Sequence, residues 1–292
     1  ARRQPLLPAA PHPPAPWGLL DLLLATLLLM TLQLVNAMAL GKVLGLDPTQ
    51  GWDRLPVRDL ALVRFSDSAV SLAAIAVALA LISVRTRARA ADFGVSWRHV
   101  PGDLWLGAVA FAMLAPPVYG LQRLLTIWFP YEHPLLLVLQ KHPEPLLHGV
   151  VFFSAVVAAP IVEEFFYRVL WQGWLQTFAR RRHDSLQLML GGEAAPLAAD
   201  QATSGPRDGS PGAAPPTRTS ETAAILASSA IFASMHLSQG AAPIPLFVLA
   251  LGLGYLYART GRVLPCLVVH VLLNASSLIM LWLGAGPSSP PS

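Results

Sequence analysis

Two adjacent carboxylates, Glu163 and Glu164, stand five and four residues ahead of Arg168 inside an apolar run from Leu146 to Phe178. On a helix Glu164 and Arg168 are neighbours and can pair. Glu163 points about 100° away from Glu164 and is left for other work. Further on, Phe232 precedes His236 by four residues, and His270 precedes Asn274 by four, each pair again in an apolar run. A glutamate and two histidines in a wet cavity are the parts of a hydrolase: the carboxylate takes a proton from water, and an imidazole holds that water or protonates a leaving amine. Histidine and asparagine can also donate hydrogen bonds to a tetrahedral oxyanion. The same Glu163, His236 and His270 could instead ligate a divalent metal such as zinc. The soluble zinc-protease pattern His-Glu-x-x-His is absent from the chain,.

Charged groups at this depth are costly, about 2.5–3.5 kcal/mol each at the centre of a membrane helix, so they face a protein interior or a water cavity. The elements that must position them are membrane helices. The chain has 292 residues, 54% hydrophobic and 12% charged, with mean hydropathy +0.53. The charged share is half the roughly 25% of a soluble domain. The expected fold is all-α, a polytopic membrane helix bundle of about seven transmembrane helices. The spans are Trp17–Leu40, Ser68–Val84, Asp103–Trp128, Leu146–Phe178, Glu221–Leu237, Pro243–Ala258 and Val263–Leu283. Phe129–Pro145 is too short to cross and reads as a surface or re-entrant piece. At ~1.5 Å per residue, His270 and Asn274 lie roughly 10–17 Å deep and His236 roughly 22 Å.

In domain terms, residues 1–16 are a proline-rich flexible tail and 17–283 the membrane domain. Its catalytic core is 146–182 and 221–283. Residues 183–220, rich in Gly, Ala, Pro, Ser and Thr, are a disordered cytoplasmic insertion, and 284–292 a flexible tail. The chain begins at Ala1 rather than Met, so residues could precede it. The net charge of +4 does not point to nucleic acid, because the basic residues cluster at the ends of apolar runs. With the N-terminus inside, cytoplasmic segments hold Arg85, Arg87, Arg89, Arg180, Arg181, Arg182, Arg259 and Arg262, among others. The outer connections hold only Lys42, Arg54, Arg58, Arg64 and Lys141. That bias fits an N-in, C-out topology. The single Cys266 excludes an internal disulfide and reads as a packing residue,.

Taken one at a time, these residues have plainer explanations. Glu163 and Glu164 could form a structural ion network with Arg168, His236 could be a hydrogen-bonded packing histidine, and Asn274 could be interhelical glue. Their combination favours chemistry. Glu-Glu-x-x-x-Arg, then Phe-x-x-x-His, then His-x-x-x-Asn, on three late membrane helices, resembles the CAAX-protease and bacteriocin-processing (CPBP) intramembrane peptidases, which include the type II CAAX prenyl endopeptidases. The approach Gly252-Leu253-Gly254-Tyr255-Leu256-Tyr257-Ala258-Arg259-Thr260-Gly261 is similar too. The resemblance implies that Glu163 activates water with His236, that His270 and Asn274 form the oxyanion site, and that Glu164, Arg168 and Phe232 shape the pocket. It implies a membrane-associated protein or peptide substrate, either a prenylated CAAX-type chain or a leader peptide, and leaves metal-free and metal-dependent hydrolysis both open. We expect an integral protein of a bacterial cytoplasmic membrane. The alternatives are a non-enzymatic scaffold or bacteriocin-immunity factor on the same fold, and a proton-coupled transporter, which the absence of an internal repeat ranks last.

Overall fold

The computed structural model describes Leu7 and residues 14–45, 55–129, 139, 142–180, 189–191 and 218–283. Seven long helices dominate, with no strand among the described residues. They are α1 (Leu19–Leu44), α2 (Val57–Thr86), α3 (Val100–Leu125), α4 (Pro145–Ala179), α5 (Arg218–Ser234), α6 (Pro243–Thr260) and α7 (Leu264–Trp282). Six of them are long and apolar enough to cross a bilayer. The exception, α5, has 17 residues, about 25 Å.

Polar side chains fix the register of the bundle. At one end of the α1–α2 hairpin, Arg85 Nε reaches Asp21 Oδ1 at 2.8 Å. Towards the other end, Asn36 Nδ2 donates to Asp67 Oδ1 at 2.8 Å, and Gln33 bonds Ser71. These contacts make α1 and α2 antiparallel. Between α3 and α7 the pairs advance together: Arg262 Nε holds Asp103 Oδ1 at 2.7 Å, and Tyr119 Oη donates to Leu273 O at 2.8 Å. α3 and α7 are therefore parallel. Four reversals must separate two parallel spans that have α4, α5 and α6 between them, so the short α5 takes its full part in the alternation. Glu221–Arg259 at 3.9 Å closes the α5–α6 hairpin. The longest helix, α4, touches α2, α5, α6 and α7.

Apolar packing follows the same plan. One buried cluster gathers Trp17, Phe232, Leu249, Leu253, Tyr257 and Val269 around the middle of α4. A second joins Leu60, Leu147, Val151 and Leu278 near its start. Outside them, α1 exposes Leu23, Leu27, Met30 and Leu34, the lipid-facing surface of a membrane helix.

Two expected spans change. The second begins at Val57 rather than Ser68. Asp67, expected in an outer connection, lies inside the helix because Asn36 and Gln33 of α1 receive its carboxylate and carbonyl. The fifth ends at Ser234 rather than Leu237. Side chains take the carbonyls of its last turn: Ser234 Oγ donates to Ile231 O at 2.7 Å and His236 Nδ1 to Phe232 O at 3.0 Å. Such side-chain bonds compete with helix continuation. Gly240, with φ 62° and ψ −125°, then turns the chain in a conformation that only glycine adopts freely.

Most of the expected Phe129–Pro145 surface piece, the 183–220 insertion and the 284–292 tail lie outside the described residues. Parts of the ends are described. Leu7 O accepts from Arg259 Nε and Nη2 at 2.9 and 2.7 Å, and Ala15 N donates to Thr177 Oγ1 at 2.7 Å. Trp17 is fully buried, stacks on Phe93 at 5.2 Å, and donates its indole N–H to Leu170 O at 3.1 Å. The backbone of Met189–Gly191 lies against Gly18, where a Cβ would collide with it.

Candidate active site

α4 carries the first motif, and it is not a regular helix. Phe153–Ala158 and Glu164–Gln172 have π geometry, with α turns before, between and after. π segments bond residue i to i+5, are rare, and concentrate at functional sites. The first one has a local cause and a consequence. Ala159 N–H bonds Ser154 O. The next donor in that register is residue 160, a proline with no N–H,. The carbonyl of Ala155 is thereby orphaned, and Asn274 Nδ2 of α7 fills the vacancy at 2.7 Å.

The second π segment opens with Glu164, which is fully buried, as is Arg168. Their expected pairing is present, with Nε to Oε2 at 3.4 Å. The other oxygen, Oε1, lies 2.8 Å from His270 Nδ1. Glu164 thus binds across to α7 as well as along its own helix. Glu163 remains partly open, its side chain 25% exposed, with Oε2 3.7 Å from His270 Nε2. His270 is therefore clamped between the two glutamates.

The hydrogen bonds set the proton positions. Glu164 is held by a cationic guanidinium and accepts, so His270 Nδ1 donates. Neutral His270 then presents the Nε2 lone pair towards the Glu163 carboxylate, and a proton on Nε2 makes the 3.7 Å approach an ion pair. His236 is fixed in the same way: its Nδ1 donates to Phe232 O, which leaves Nε2 as a free base,. Phe232 has no exposed surface. Its ring lies 4.9 Å from the His236 ring, 6.1 Å from the His270 ring and 5.5 Å from the Arg168 guanidinium. It is the apolar post around which the site is built, and Tyr167 packs edge-on against it at 5.3 Å.

The structure thus brings Glu163, Glu164, Arg168, Phe232, His236 and His270 together, with Asn274 one turn along α7 bonded to the α4 backbone. His236 differs from expectation in its support: it stands in the turn after α5, not on a helix. Two participants were missed. Gln172 and Ser228 are fully buried, and Ser228 Oγ donates to Gln172 Oε1 at 3.2 Å. The signal for Gln172 was available, since Glu164, Arg168 and Gln172 recur at intervals of four.

The donor atoms are of the right kind for zinc, with His236 and His270 each bonded through Nδ1 and open at Nε2, as ligating histidines are. They do not converge: among the described residues no three of His, Cys, Asp and Glu are grouped to hold a metal ion.

Residues 211–276 match the family model described as Type II CAAX prenyl endopeptidase Rce1-like. The match supports the CPBP/CAAX protease family. It takes in Phe232, His236, His270 and Asn274 and stops short of the glutamate motif, which the geometry alone connects to the rest. No curated protein and no solved structure matches the chain.

Proposed function

We propose that this chain, which carries the histidine motifs of an Rce1-like endopeptidase, hydrolyses a peptide bond of a membrane-associated substrate inside the bilayer. The observation that carries the reading is the clamp on His270. Glu164 at 2.8 Å and Glu163 at 3.7 Å come from a motif more than 100 residues away and outside the matched segment.

In this reading a water molecule sits between Glu163 and His236 Nε2. Glu163 takes its proton, and the hydroxide attacks the scissile carbonyl carbon. His270, protonated on Nε2 and balanced by Glu164, donates to the developing oxyanion. Asn274 gives one Nδ2 hydrogen to Ala155 O and has the second for the oxyanion. When the tetrahedral intermediate collapses, the C–N bond breaks and Glu163 returns its proton to the leaving amine. The proposed orientation has the N-terminus in the cytoplasm and Arg85, Arg259 and Arg262 on the inner side, as the bias of positive charge to the cytoplasmic face supports.

The test uses purified protein in detergent and two internally quenched peptides, one farnesylated on the cysteine of a C-terminal Cys-aliphatic-aliphatic-X sequence, the other an unmodified leader peptide. Wild type is expected to cut one of them, and Glu163→Gln to cut it about 10²–10⁴-fold more slowly. Wild-type rates in Glu163→Gln would remove the hydrolase reading and leave a binding role.

A further inference from the structure

We infer that Gln172 and Ser228 are positioning residues for the site, forming with Arg168 a buried polar relay, hydrogen bonds joined by one ion pair, that ends on the catalytic histidine. The inference rests on the hydrolase reading above.

The relay begins at a backbone carbonyl. Gln172 Nε2 donates to Gly254 O of α6 at 2.8 Å. A carbonyl can only accept, so this bond fixes which way the carboxamide faces, and Oε1 is left to accept from Ser228 Oγ of α5 at 3.2 Å. The Ser228 hydroxyl also has Ile225 O at 3.1 Å. Whichever acceptor takes its proton, its lone pairs are left for Arg168 Nη1 at 3.4 Å. Arg168 Nε then meets Glu164 Oε2 at 3.4 Å, and Glu164 Oε1 meets His270 Nδ1 at 2.8 Å. Every donor faces an acceptor: Arg168 donates outward through Ser228 and Gln172 to Gly254 O, and the Glu164 carboxylate receives Arg168 on one oxygen and His270 on the other.

Burial makes the relay consequential. Gln172, Ser228, Arg168 and Glu164 have no exposed surface. Water cannot replace a lost member cheaply, and a half-satisfied buried network is costly. Arg168 is the vulnerable link, because Nε and Nη2 make no hydrogen bond, Nε meeting Glu164 only as an ion pair, and Ser228 is the neutral anchor that aims the guanidinium. Gly254 is small for the same reason. A Cβ there would lie 3.0 Å from Gln172 Oε1 and 2.9 Å from Ile225 Cγ2, driving the carboxamide off its carbonyl.

The experiment compares Gln172→Leu, Ser228→Ala and the double variant, all purified and shown to be folded by melting temperature. With the peptide that wild type cleaves, each single variant is expected to lower kcat by about 10–100-fold, as a displacement of about 1 Å does, with KM within twofold. The double variant is expected to lose no more than the worse single one, because both break one chain. Losses that multiply, or kcat within threefold of wild type in both singles, would overturn the relay. A second readout needs no activity. In protein labelled with ¹⁵N-histidine, the His270 Nδ1–H resonance, assigned by its loss in His270→Gln, reports the bond to Glu164. It is expected to move in both single variants, and an unmoved resonance in both overturns the relay even if no peptide is cut. Activity that survives Glu163→Gln removes the hydrolase reading, and the resonance still decides the relay.

Discussion

Replacing Glu164 by glutamine keeps the shape of the side chain and removes the charge on which two helices converge. Glu164 and Arg168 are both fully buried, and the carboxylate is the only ion-pair partner of Arg168 among the described contacts. Removing one member of a buried pair costs about 3–5 kcal/mol, because the other charge is left uncompensated. Ser228 at 3.4 Å and the Phe232 ring at 5.5 Å offset only part of this, since a cation–π contact contributes about 2 kcal/mol when desolvated. A net loss of roughly 1–3 kcal/mol is expected. Activity falls as well, because His270 loses the carboxylate that balances its protonated form. Glu163→Gln should behave differently. Glu163 is partly exposed, and its one close ion-pair contact is the long one to His270 at 3.7 Å, so activity is lost with little change in stability. The double variant Glu164→Gln/Arg168→Met should recover most of the stability of Glu164→Gln and none of its activity. The assay is thermal unfolding in detergent by intrinsic fluorescence, alongside peptide cleavage. If Glu164→Gln melts no earlier than Glu163→Gln, or if removing Arg168 as well destabilises further, the electrostatic account of this pair is wrong.

Asn274→Ala should cost about 1–3 kcal/mol by leaving the Ala155 carbonyl unsatisfied, and Asn274→Asp should cost more, since a carboxylate facing that carbonyl repels it. Denaturant titration with helix content as the signal would separate the two. Trp17→Phe should lose only the bond to Leu170 O, about 1 kcal/mol, whereas Trp17→Ala should lose about 3–5 kcal/mol by emptying its pocket. Equal melting temperatures for the two would refute the role given to the ring. Cys266 has no exposed surface, so a maleimide should label it in unfolded protein and leave it untouched in the folded state. Rapid labelling of folded protein would contradict the packing of α6 against α7.

Hydropathy alone located the long helices, because a lipid solvent imposes length and composition on each span. The ends were less legible. The charges at Arg58, Arg64 and Asp67 read as a loop, since nothing in one segment says that Asn36 and Gln33 wait on another to receive Asp67. At the site, the Glu164–Arg168 pairing was visible because its partners share a helix. The bond from Glu164 to His270 was not, because it depends on how α4 and α7 come together over a separation of 106 residues. His236 was placed on a helix by its spacing from Phe232, and the same spacing lets its ring take the Phe232 carbonyl that ends that helix. The π turns of α4 escaped altogether, and the first of them follows from the choice among backbone carbonyls around Pro160.

The segment around Trp17 adds a matter of timing. Its partners Leu170, Thr177 and Arg259 follow 153, 162 and 252 residues later in the chain. At about 5–20 residues per second of synthesis, Leu7 waits roughly 13–50 s for Arg259 to be made. Until Leu170 is made, the aromatic anchor lacks the acceptor of its indole N–H and lies against the membrane surface or the nascent chain. Its docking therefore marks the moment at which the bundle closes, and a fluorescence change at Trp17 during cell-free synthesis would date that closure.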